Sequence, residues 1–233
     1  MKKFAIIAAG GIGKRMGGKI PKQFLLLCGL PVLMHTITAF HRASSEISII
    51  LALPRKHIKR WNQLCRKYRF TIPCKIVAGG DTRTQTIFNC LKILPNKGLV
   101  AIHDGVRPLI HSEIILKSYR LAGKKGSAVV AVPLKDSIRK ISKTGKSNSV
   151  NRESYGMVQT PQTFRIDWLK EAYQSVKKGL KSGFTDDASV FEKAGFPVFL
   201  LKGDYNNLKI TTNEDLAIAE WLTKRFGGRR KIS

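Results

Sequence analysis

Acidic residues are scarce in this chain: 15 Asp and Glu stand against 42 Lys and Arg, a formal net charge of +27. A positive field of that size attracts polyanions, either nucleic acid or phosphorylated small molecules. A basic solvated surface without a partner gives the same count, so charge alone selects nothing. Cysteine is also sparse. The four present, Cys28, Cys65, Cys74 and Cys90, form no CxxC pair and have no metal-type spacing with histidine, so they read as reduced core residues in a cytoplasmic protein. No apolar run approaches the roughly 20 residues that span a bilayer, which argues against a membrane partner. Met1-Lys2-Lys3 followed by Phe4 to Ala9 is too short for a signal peptide and is broken at once by Lys14, Arg15 and Lys19; it reads as a buried first strand. There are no internal repeats and no low-complexity tract apart from a basic tail at about 227–233. With 233 residues, 43% of them hydrophobic, the expectation is one domain over 1–233 with a single sizeable core.

Short apolar runs alternate with amphipathic stretches. Phe4–Ala8, Ile47–Leu53, Lys75–Val77, Leu99–His103, Ala128–Val132 and Val198–Leu201 read as strands, several of them apolar throughout, as in a parallel sheet buried on both faces. Pro31 leads a helix over Val32–Arg42, and Ser112 caps one through Ala122 that stops at Gly123. Thr185 or Asp186 caps Asp187–Ala194, and Thr212 with Asp215 opens a helix ending before Gly227. The alternation predicts an α/β doubly wound fold with a mostly parallel sheet. Residues 134–158 break the pattern. Alternation over Ser137–Ile141, a polar turn at Ser142–Asn148 and a second strand over Val150–Val158 predict a projecting β-hairpin arm, whose open edges favour cover by a symmetry mate.

The first strand runs into Ala8-Ala9-Gly10-Gly11-Ile12-Gly13-Lys14-Arg15-Met16, continuing through Gly17 and Gly18 to Pro21-Lys22-Gln23. Glycines let backbone N–H groups approach a phosphate, and Arg15 and Lys22 add full charges beside them. A dinucleotide fingerprint fails, because Met16 occupies its last glycine position. A P-loop fails too, because Ile20 follows Gly18-Lys19 where a hydroxyl should bind magnesium. Asp104 ends a buried apolar strand, where open α/β sheets place ligands; a lone carboxylate there suits Mg²⁺ or a substrate hydroxyl.

The loop resembles the signature loop of the 2-C-methyl-D-erythritol 4-phosphate cytidylyltransferases. The resemblance continues in order through Gly79-Gly80-Asp81, His103-Asp104-Gly105-Val106-Arg107-Pro108, Thr160-Pro161-Gln162, Thr185-Asp186-Asp187-Ala188-Ser189 and Asn207-Leu208-Lys209-Ile210-Thr211. It implies a sheet of nucleotide-diphospho-sugar transferase type and an enzyme that joins CTP to methylerythritol phosphate with release of pyrophosphate. By match to the family pattern, Arg15 and Lys22 stabilise the transition state, while Arg152 and Lys209 hold the incoming phosphate. Ala8, Ala9, Gly10, Gly11 and Gly13 cradle CTP, and Gly80, Asp81 and Thr86 read its base and ribose. Asp104, Arg107, Ser137 and Thr160 contact the acceptor, and Asp104 also serves the Mg²⁺ cofactor. Arg107 can instead pair with Asp104; we expect the acceptor contact. Arg152, on the second strand of the arm, reaches the neighbouring site of a homodimer. His103 reads as packing rather than catalysis.

Departures from the family pattern are conservative. Gly105 stands where alanine is usual, and Thr86 and Ser137 exchange the commoner serine and threonine. Two other readings compete. One is a cytidylyltransferase acting on ribitol 5-phosphate or another alditol phosphate. The other, a nucleic-acid-binding protein, lacks any RNP-like, zinc or helix-turn-helix signature to accompany the charge.

Overall fold

The computed structural model describes residues 1–10, 20–176 and 184–227, the side chains of 226 and 227 excepted. In chain order, β1 (Lys3–Ala8), β2 (Leu26–Leu27) and β3 (Leu30–Pro31) precede α1 (Val32–Ala43). Next come β4 (Ile47–Leu53), α2 (Arg55–Lys67), β5 (Cys74–Ala78), α3 (Arg83–Lys92), β6 (Leu99–Asp104), α4 (Ser112–Lys125) and β7 (Ser127–Pro133). A hairpin of β8 (Arg139–Ile141) and β9 (Ser147–Ser149) leads to β10 (Gly156–Arg165), α5 (Ile166–Ser175), α6 (Asp187–Lys193), β11 (Leu200–Lys202) and α7 (Asn213–Gly227).

The main sheet has seven strands in the order β11-β7-β10-β6-β1-β4-β5. β10 runs antiparallel to both of its neighbours, and the other pairings are parallel. Successive side chains of a strand point to opposite faces, and both faces are buried here. Ala5, Ile7, Ile49, Leu51, Leu53, Leu99 and Ala101 pack against α1, α2 and α4 through Leu33, Ile37, Phe40, Trp61, Ile115 and Tyr119. The alternate residues Ile6, Ile50, Ala52, Val100 and Ile102 pack against α3, α5 and α6 through Ile87, Leu91, Leu169, Tyr173, Val190 and Phe191. That two-sided burial is why the strands read as continuous apolar runs. A smaller cluster, with Leu27, Val106, Leu109, Ile210, Ala219 and Leu222, seats α7 beside the β2–β3 turn. No helix among the described residues is long and apolar enough to cross a membrane.

Several expectations need correction. The second strand of the arm is Ser147–Ser149, not Val150–Val158. Residues 156–165 instead form β10, inserted between β6 and β7. Arg152 therefore sits in a short 3-10 turn, Arg152–Ser154, rather than on a hairpin strand. Asp186 is the cap of α6 and forms a reciprocal capping box with Ser189. α4 begins at Ser112 with His111 as its cap residue, and it runs through Gly123 to stop at Gly126. The stop is enforced at that later position. Gly126 has φ +92°, its N–H donates to the Ala122 carbonyl over 2.8 Å, and a Cβ would strike the Trp168 ring. Left-handed backbone without glycine and overpacking each carry a cost of about 1–3 kcal/mol. Gly126→Ala is therefore expected to lower stability by about 2–4 kcal/mol, measurable as a shift of the urea midpoint at unchanged slope.

Candidate active site

From β1 the chain builds outward through β4 to β5, then returns to place β6 on the opposite side of β1. Such a reversal opens a crevice beyond the carboxyl ends of the strands. Ala8 and Asp104 are register partners at the ends of β1 and β6, so the crevice opens above them. It is lined by Ala8, Ala9, Gly10, Lys22, Gly80, Asp81, Thr86, Asp104 and Lys209, all expected from the sequence, together with Gln23 and Arg83, which are not.

Backbone bonds extend the sheet past its strands and fix the mouth of the crevice. Gly105 N–H donates to Ala8 O over 2.9 Å, Ala9 N–H to Ala52 O over 3.0 Å and Gly79 N–H to Leu53 O over 2.8 Å. Gln23, fully buried, donates from Nε2 to Ala9 O over 2.9 Å. That bond locks the 3-10 turn Lys22–Phe24 against the end of β1 and delivers Lys22 to the cleft. On the far wall, Thr86 Oγ1 donates to Thr82 O (2.9 Å) and accepts from Gly80 N–H (3.0 Å). Its hydroxyl thus shapes the 80–82 turn that borders the cleft. Gly80 is required there by close approach, since a Cβ would strike the Gln85 side chain.

At the floor, Asp104 gathers cations. Lys209 Nζ lies 3.0 Å and Arg107 Nε 3.3 Å from its Oδ2. Arg107 Nη1 also donates to Asn207 O over 2.7 Å, and Asn207 Nδ2 to Thr160 O over 2.8 Å. Arg107 thus pairs with Asp104, is not among the residues lining the cleft, and ties the Lys209 segment to β6. Burial alone would raise the Asp104 pKa, but Lys209, Arg83 and Arg107 outweigh it and hold the carboxyl well below the usual range. Below lies His103, fully buried, whose pKa burial lowers to about 4. Its neutral ring must donate Nε2–H to the Arg107 carbonyl (3.1 Å), leaving Nδ1 to accept from the Thr160 hydroxyl at 3.1 Å. Thr160 Oγ1 in turn accepts from Asp104 N–H over 3.1 Å. His103 is a packing and bonding residue of the floor.

Asp104 does not fit the magnesium expected on it. Two cations already occupy its Oδ2. Ser137 and Arg152 are outside this cleft. Both are exposed, and Arg152 Nη1 donates to Lys135 O over 2.6 Å at the root of the arm. Arg15, Gly11 and Gly13, and the basic tail from 228 on, lie outside the described residues. The missed Arg83 pairs with the fully buried Asp187 at 2.6 Å. A sequence signal did exist: a basic residue opens α3, at the end of a helix where a carboxylate is favoured.

Comparison with known proteins bears directly on this cleft. The family profile of 2-C-methyl-D-erythritol 4-phosphate cytidylyltransferase (IspD) matches residues 4–225. The enzyme of that name from Porphyromonas gingivalis is 47% identical over 222 residues, covering 95% of this chain and 97% of the relative. The one from Bacillus cereus is 37% identical over 92% of this chain and 95% of its own. The crystal structure of 4-diphosphocytidyl-2C-methyl-D-erythritol synthase from Anaerococcus prevotii superposes with a TM-score of 0.82 at 29% identity, covering 95% and 96% of the two chains. That of the Francisella tularensis cytidylyltransferase superposes with a TM-score of 0.80 at 27% identity, over 95% and 99%. With the matched fold, the matched length and a cation-rich cleft at the sheet's switch point, this chain belongs to the 2-C-methyl-D-erythritol 4-phosphate cytidylyltransferase family.

Proposed function

We propose that the chain transfers a cytidylyl group from CTP to 2-C-methyl-D-erythritol 4-phosphate, giving 4-diphosphocytidyl-2-C-methyl-D-erythritol and pyrophosphate, in the cleft above Ala8 and Asp104. The observation that carries this reading is the convergence of Lys22, Lys209 and Asp104 on one crevice at the ends of β1 and β6. An acceptor phosphate oxygen attacks the α-phosphorus, the bond to the bridging oxygen breaks, and pyrophosphate leaves. A phosphate monoester needs no general base near neutral pH, so catalysis rests on placement and charge neutralisation. Lys22 and Arg15 neutralise the triphosphate as charge moves to the leaving group. Ala8, Ala9, Gly10 and the Gly80–Thr86 wall hold the nucleotide, and Lys209 receives the acceptor phosphate. Asp104 aims Lys209, and magnesium would be held by the triphosphate oxygens, where it would help neutralise their charge.

We further propose that the active form is a homodimer built through the arm. Ile141 (72% exposed), Leu200 (60%), Tyr155 and Met157 leave apolar surface bare around the hairpin and the edge strand β11, the kind of surface a second copy covers. Arg152 borders the same surface, which supports its reaching into a partner's cleft. Pyrophosphate release from CTP, Mg²⁺ and methylerythritol phosphate tests the reaction, and preferential use of ribitol 5-phosphate would overturn the acceptor. Mixing Arg152→Ala with Lys22→Ala subunits tests the arm: confirmed heterodimers should regain part of the activity, and no recovery would return Arg152 to its own subunit.

A further inference from the structure

We propose that Arg83 is a phosphate-binding residue of the cleft, aimed by Asp187 and Tyr173 as positioning residues; the inference deepens the reaction proposed above and rests on it. Arg83 opens α3 directly after the turn that borders the cleft. A cation in that position faces the positive end of the helix dipole and is disfavoured locally. Its counter-charge comes from far along the chain, at the start of α6. Arg83 Nη2 lies 2.6 Å from Asp187 Oδ2. The other Asp187 oxygen accepts from Tyr173 OH over 2.6 Å. Gln162 Oε1 accepts the backbone N–H groups of Asp187 and Ala188 over 3.1 and 2.9 Å. Asp187 is thereby buried completely and held from several sides.

A buried ion pair is a poor device for stability alone, since apolar side chains of similar volume serve as well or better. What this pair achieves is the placement of a long side chain. Arg83 is not enclosed as its partner is: 34% of its side chain is exposed, and it lines the cleft together with Asp104 and Lys209. Asp187 is its single ion-pair partner among the described residues. A guanidinium paired through one nitrogen keeps its other N–H groups for phosphate oxygens, whose geometry they match. The groups entering this cleft carry phosphate on both sides of the reaction, on the nucleotide and on the acceptor. Either can be the ligand of Arg83.

The test compares wild-type protein with Arg83→Ala, Arg83→Lys, Asp187→Asn and Tyr173→Phe. Each is titrated calorimetrically with CTP alone and with the acceptor phosphate alone, then assayed for turnover and melting temperature. Arg83→Ala is expected to weaken one of the two ligands by roughly 10- to 100-fold, the scale of one or two charge-assisted hydrogen bonds. Whichever titration changes identifies the phosphate. Guanidinium added at a non-denaturing concentration should restore part of the Arg83→Ala turnover, which a merely structural arginine would not allow. Asp187→Asn and Tyr173→Phe should weaken the same ligand by smaller factors. Unchanged titrations in Arg83→Ala, or a loss confined to melting temperature without guanidinium rescue, would overturn the proposal. Should Arg83→Ala fail to fold, Arg83→Lys keeps a charge beside Asp187 and carries the same titrations. Wild-type turnover is the separate control: its absence would sink the proposed reaction, while the titrations read the phosphate contact without it.

Discussion

Asp104→Asn is expected to cost the fold about 3–5 kcal/mol, the scale for removing one member of a buried ion pair. The change keeps the side chain's size but leaves Arg107, with only 11% of its side chain exposed, facing Lys209 without a counter-charge. The loss carries a pH signature. Lys209, Arg83 and Arg107 together overcome the effect of burial and depress the Asp104 pKa on folding. A carboxyl depressed on folding contributes stability above its unfolded value of about 4, and that contribution disappears as pH falls through the depressed value. His103 acts earlier. Burial brings its imidazole down to about 4, so folding excludes the charged ring, and stability declines once pH drops below the ordinary histidine value of about 6.5. Urea denaturation across pH should therefore show the wild type losing stability first between the two histidine values and again below about 4. Asp104→Asn should keep the first decline and lack its own share of the second. An acid profile identical to wild type would remove Asp104 from the account of stability.

Lys22→Ala should lower turnover by about 2–4 kcal/mol of transition-state stabilisation, some 30- to 1,000-fold, with the fold intact. The side chain borders the cleft, while the turn that bears it is held by neighbours: Gln23 is bonded to Ala9 O and Phe24 is buried. Truncation at Lys22 therefore removes a charge without releasing the turn. Arg15→Ala is expected to behave in the same way, although Arg15 lies outside the described residues. Pyrophosphate release at saturating CTP, beside a circular dichroism melt, separates lost chemistry from lost structure. Near-normal turnover in Lys22→Ala would take the loop out of the mechanism.

Legibility in the sequence followed burial. β1, β4, β6 and β7 were visible because both of their faces are packed, which leaves unbroken apolar runs. β10 was not visible although it lies between β6 and β7, because Gln159, Thr160, Gln162 and Thr163 are polar and buried. These residues are satisfied by partners distant in sequence, among them Asp204, His103, Asp186 and Ser118. A hydropathy pattern carries no trace of such bonds. α2 was obscured by its charge, since Trp61 alone is fully buried along it. The cleft was legible to the extent that its residues stand in contiguous blocks: Gly80, Asp81, Asp104 and Lys209 do converge. Arg83 was missed because the residue that explains it is 104 positions away, at Asp187.

Thr160 ends with a directional valence. Its hydrogen points to the His103 ring, and one lone pair takes the Asp104 N–H. Because burial keeps that imidazole neutral and the Arg107 carbonyl fixes its tautomer, the hydroxyl has no proton to offer. Only a lone pair remains, and it answers to a donor. A phosphate oxygen brings none near neutral pH, but an alcohol does. A Thr160 hydroxyl so committed can take a further partner only as an acceptor.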